Sequence, residues 1–122
     1  MQVLAYAAAG LIGLWGIAHA IPTRQVVAGF APITTGNRRI LLQEWLAESL
    51  TMLGAATLVV VATAVGANTD VAAWVDRVVA GLLIALAVLT ALTGARTAVM
   101  WFKVCPVLLA SAAVLLLAAS IL

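Results

Sequence analysis

A chain of 122 residues that is 66% hydrophobic and 8% charged cannot clothe a soluble domain, whose composition usually includes about 25% charged residues. Its six basic and four acidic residues, a net charge of +2, are too sparse for the clustered cationic face that nucleic-acid binding requires. The single cysteine, Cys105, leaves no intrachain disulfide and no CxxC pair for thiol exchange.

The mean hydropathy of +1.26 makes the bilayer the expected solvent. At about 20 residues per crossing, the chain has room for four spans in a single domain. The expected fold is therefore all-α, an integral membrane bundle of four transmembrane helices. Spans are predicted at about 3–20, 45–65, 72–93 and 98–121, with an interfacial connection at 21–36.

The first span, Val3 to Ala20, ends in Ala18-His19-Ala20, a small-x-small pattern like a signal-peptidase site. Met1-Gln2 supplies no basic flank, so a retained helix is expected instead. Ala5, Ala9 and Gly13 recur at i+4, as do Gly16 and Ala20, and such rows let helix backbones approach closely in lipid. The connection IPTRQVVAGFAPITTG contains Pro22 and Pro32, which break helices, and Gly29 and Gly36, which permit turns. Val26, Val27, Phe30 and Ile33 are too apolar for a solvated loop. They mark an interfacial or re-entrant segment with Arg24 facing headgroups; lying on the surface is the expectation, because re-entry would need protein cover for its backbone groups.

The second helix is expected to start at a cap on Thr35 or Asn37. Arg38 and Arg39 then occupy its first turn, the end where the helix field disfavours cations, so lipid phosphate or a nearby carboxylate is their expected counter-charge. Arg24, Arg38, Arg39 and Trp45 form the predicted headgroup contacts. Ala47, Thr51 and Ala55 make another small-residue row, which predicts close packing. Asn68 or Asp70 is the expected cap of the third helix, which carries Trp74, Asp76, Arg77 and the small pair Gly81 and Ala85. The fourth carries Trp101, Lys103, Cys105 and Pro106, where a kink or restart is expected, and it runs apolar to Ile121-Leu122 with no polar tail.

Orientation follows from the cations. Arg24, Arg38 and Arg39 lie in the first connection and Arg96 and Lys103 in the third, whereas the second offers only Arg77 beside Asp70 and Asp76. The positive-inside rule puts the first and third connections in the cytoplasm and both termini on the extracytoplasmic side, in a prokaryotic plasma (inner) membrane.

Chemistry concentrates at the predicted cytoplasmic end. Glu48 lies about 5 Å deeper than Trp45, one helical turn on. An ionisable side chain at that depth usually faces the bundle interior and marks a site. Its candidate partners are His19, Arg39, Arg96 and Lys103, forming either a ligand site or a structural ion pair. Glu44, one turn earlier, is expected at headgroup level. His19 with Cys105 is not a metal-ligand set. No metal, no cofactor and no catalytic constellation is predicted: the chain has no GxSxG elbow, no phosphate-cradling glycine loop and no HExxH.

Three function classes remain. The first is an accessory or oligomerising subunit of a membrane complex, with other membrane chains or copies of itself as partners. The second is a small homo-oligomeric carrier or channel using Glu48. The third is a lipid-headgroup-binding protein or membrane enzyme using Arg38, Arg39 and Glu48.

Overall fold

The computed structural model describes residues 2–122. Its helices are α1 (Gln2–Ala20), α2 (Thr23–Ala28), α3 (Thr35–Gly66), α4 (Asp70–Leu92) and α5 (Met100–Ile121), with a 3₁₀ turn at Gly94–Arg96 before α5. Four of them, α1, α3, α4 and α5, are long and apolar enough to cross a membrane. These four form a ring in which α1 packs on α3 and α5, and α4 packs on α5 and α3; the α1–α3 and α4–α5 contacts are the most extensive. The start of α1 and the end of α5 lie at one end, where Gln2 and Ala5 share a crevice with Ile121 and Leu122.

The centre of the ring is solid. Ala8 and Ile12 of α1, Met52 and Val59 of α3, Ala80 and Leu83 of α4, and Leu109, Ala112 and Leu116 of α5 are fully buried. Alanine lets the axes approach and branched or long side chains fill the gaps that remain, so association proceeds by packing rather than by a hydrophobic drive.

Local chemistry sets the helix ends. Thr34 caps α3, its hydroxyl accepting from the Asn37 amide at 3.1 Å, one residue before the expected Thr35. Thr69 caps α4 by accepting from the Ala72 amide at 3.2 Å. Asn68, one of the two expected caps, instead adopts a left-handed φ of 63°. That conformation suits asparagine in a tight turn and takes its side chain out of the capping position. α3 has 32 residues, a length of about 48 Å against a hydrocarbon core of about 30 Å, so its first turns lie outside that core. The connection at 21–36 contains the six-residue α2, anchored by buried Val27. Through Pro106, α5 continues without a break.

The small-residue rows divide. Ala5, Ala9 and Gly16 of α1 are buried as expected, but Ala47 and Thr51 of α3 and Gly81 and Ala85 of α4 face outward. On α3 the inward row is Ser49, Met52, Ala55, Ala56, Val59 and Thr63. Because lipid and helix partners are equally apolar, hydropathy carries no rotational phase for such a helix. The tight contact is also one turn from Gly13: a Cβ on Gly16 would lie 3.2 Å from Met52 Cβ and 3.3 Å from the Ser49 carbonyl oxygen, against 3.5 Å from Ala56 Cβ for one on Gly13.

Candidate functional site at the basic end

The close α1–α3 approach at Gly16 builds the site. Gly16 leaves room for the α3 backbone, and the Ser49 hydroxyl donates to the Gly16 carbonyl. One turn further along α1, His19 therefore meets α3 at Trp45 and Glu48. Its ring stacks on the Trp45 indole, with centroids 4.0 Å apart and planes 19° apart. The Trp45 indole N–H donates to the His19 carbonyl oxygen at 3.1 Å, satisfying an acceptor that the end of α1 leaves without an intrahelical partner.

α5 closes this cluster. The Trp45 ring meets Phe102 edge-on at 6.0 Å, and the Trp15 indole N–H donates to Cys105 Sγ at 3.2 Å. These contacts bring the starts of α3 and α5 to the same end as the close of α1, so Arg96 and Lys103 share that end with Arg24, Arg38 and Arg39.

Of the four expected partners of Glu48, the structure brings up His19. His19 Nε2 lies 3.5 Å from Glu48 Oε2, with the His19 side chain 8% exposed and that of Glu48 33% exposed. The nitrogen is buried and makes no hydrogen bond; the two groups form an ion pair only when the imidazole is protonated. Arg39, Arg96 and Lys103 lie exposed and make no ion pair among the described residues. Glu44 is also exposed, accepting only from the side-chain amide of its neighbour Gln43.

The tryptophans split by role. Trp74 and Trp101, 61% and 68% exposed, face outward near opposite ends of the bundle, as interfacial tryptophans do. Trp15 and Trp45 turn inward, with their N–H groups bonded to protein. Trp45, expected among the headgroup contacts, is thus an interhelical residue. Phe102 carried no signal in the sequence; one phenylalanine at the start of an apolar helix looks the same whether it faces lipid or Trp45.

Beside the His19 cluster lies an open cleft of about 790 Å³ between the end of α1, α2 and the start of α3. Its walls include Ile21, Leu42 and Leu46, and Arg24 and Arg38 line it. Neither arginine is ion-paired among the described residues. Two guanidiniums beside an apolar wall suit an anion that carries a hydrocarbon tail. The His19–Glu48 pair can hold a proton or fix the two helices. Cys105 is buried against Trp15, an environment unlike that of a reactive thiolate. No group of three or more His, Cys, Asp or Glu side chains among the described residues is placed to hold a metal ion.

No protein-family model, characterised protein or solved structure matches this chain.

Proposed function

We propose that this small membrane protein binds an anionic phospholipid at its basic end, with that end facing the cytoplasm. The observation that supports this reading is the cleft holding Arg24 and Arg38 without carboxylate partners and lined by Ile21, Leu42 and Leu46. The guanidiniums take the phosphate bidentately, and an acyl chain follows the apolar wall. Their excess over acidic groups at this end also favours the anionic inner leaflet. The His19–Glu48–Trp45 cluster has a positioning role, because it holds α1 against α3 and so sets the width of the cleft.

The test is native mass spectrometry after gentle extraction and addition of phosphatidylglycerol or phosphatidylcholine. The wild-type protein is expected to retain phosphatidylglycerol preferentially, and the Arg24→Gln/Arg38→Gln variant to lose that preference while staying folded. Equal retention of both lipids by wild type and variant contradicts the reading.

A second reading, an accessory or oligomerising subunit, draws support from Gly54, Gly81 and Ala85. These small residues face outward, with open space where a Cβ on either glycine would lie, as a surface awaiting another helix would have. The carrier reading fits less well, since the fully buried side chains fill the middle of the bundle.

A further inference from the structure

At the opposite end, four helices line an open crevice of about 270 Å³, with Ala5 of α1, Thr63 of α3, Asp70 and Asp76 of α4 and Ser120 of α5 in its walls and Asn68 in the turn above. Asp76 sits six residues into α4, about 9 Å along the axis from Asp70. It is 5% exposed, and its Oδ1 is buried without a hydrogen-bond partner. An uncompensated carboxylate at such depth carries a large desolvation penalty and is a site by default.

The obvious counter-charge is engaged elsewhere. The neighbouring Arg77 donates from Nε to Ser120 Oγ at 3.3 Å and from Nη2 to the Ser120 carbonyl at 3.1 Å. Its guanidinium carbon also lies 5.1 Å from the Trp74 ring centroid. Successive residues on a helix diverge, so Asp76 points into the crevice while Arg77 closes the end of α5.

The geometry points to a binding site for one hard monovalent cation of sodium size in this crevice, with the Asp76 carboxylate as its charged ligand and the Thr63 hydroxyl as a neutral one. The charge count favours a single positive charge, because two side-chain carboxylates, buried Asp76 and exposed Asp70, line the space and the Arg77 guanidinium stands beside it on Ser120. The lining donors are oxygens, which suit alkali-type ions over soft metals. Asp70, the first residue of α4, adds negative potential that draws cations inward. This site owes nothing to the Arg24–Arg38 cleft at the other end.

The test uses the purified protein in lipid nanodiscs at constant ionic strength, with choline exchanged for sodium. Thermal unfolding is expected to shift upward by a few degrees with a saturable sodium dependence. Equilibrium dialysis with radiolabelled sodium is expected to give one site per chain. Asp76→Asn removes both responses, and its stability without sodium equals or exceeds that of wild type, because the buried charge is gone. Thr63→Val keeps the shape, loses the hydroxyl and weakens binding about tenfold; it also carries the test should Asp76→Asn not fold. Absence of saturable sodium binding to wild type, or sodium binding that Asp76→Asn leaves intact, overturns the assignment.

Discussion

The two ends of this bundle solve the same problem in opposite ways. Each has a carboxylate set below the interface, Glu48 at one end and Asp76 at the other. Glu48 meets His19 from a different helix, within a cluster that ties α1, α3 and α5 together. Asp76 has an oxygen facing a crevice with no partner, while Arg77 beside it binds α5 instead. The difference shows that depth alone does not say whether an intramembrane charge is structural. What decides is whether a neighbouring helix brings a counter-group to the same level.

Gly16→Leu should break this comparison most severely. Its side chain would enter the space held by Met52, Leu53 and the Ser49 carbonyl, where overpacking costs about 1–3 kcal/mol and separates the two backbones. Unfolding measured in mixed micelles should register that loss, and retained stability would mean the α1–α3 contact is slack. Glu48→Gln comes next, expected to lower stability by about 1 kcal/mol as an interhelical polar contact in lipid is weakened. Glu44→Gln, on an exposed side chain, should do almost nothing; equal effects of the two would remove Glu48 from the cluster.

Trp45→Phe keeps a ring to stack on His19 but removes the N–H bonded to the His19 carbonyl. A cost of about 0.5–1.5 kcal/mol is expected, together with faster hydrogen exchange at the end of α1. Unchanged exchange there would show that water satisfies the carbonyl equally well. Gly81→Leu should have the smallest effect on folding, within about 0.5 kcal/mol, because open space surrounds that position. Its value is as a probe of lateral association: cross-linking in native membranes should fall if the outward α4 face meets another chain, and stay constant if lipid covers it.

The division into four helices was legible from hydropathy and length, and the collection of cations at one end from their positions in alternate connections. Glu48 and His19 stood out because ionisable groups are rare in so apolar a chain. The rotation of α3 and α4 was not legible, since helices apolar on every side carry no polar face to mark the outside. That is why small-residue spacing points to Ala47, Thr51, Gly81 and Ala85, whereas the fold buries Ser49. The partner of Glu48 was one of several plausible cations. His19 meets it because Gly16 draws α1 onto α3 one turn earlier, a consequence of packing that spacing along the chain does not reveal. Adjacent positions on a helix already imply that Asp76 and Arg77 diverge; only the fold shows Asp76 buried and Arg77 bonded to Ser120 of α5.

The claim that the basic end is stitched across helices is tested most directly by a double-mutant cycle on His19→Gln and Glu48→Gln, with unfolding free energies measured in bilayers. The predicted coupling is about 0.5–1.5 kcal/mol, favourable in the wild-type pair. Strictly additive single-variant effects would contradict the account, leaving Glu48 as free of its neighbours as Asp76.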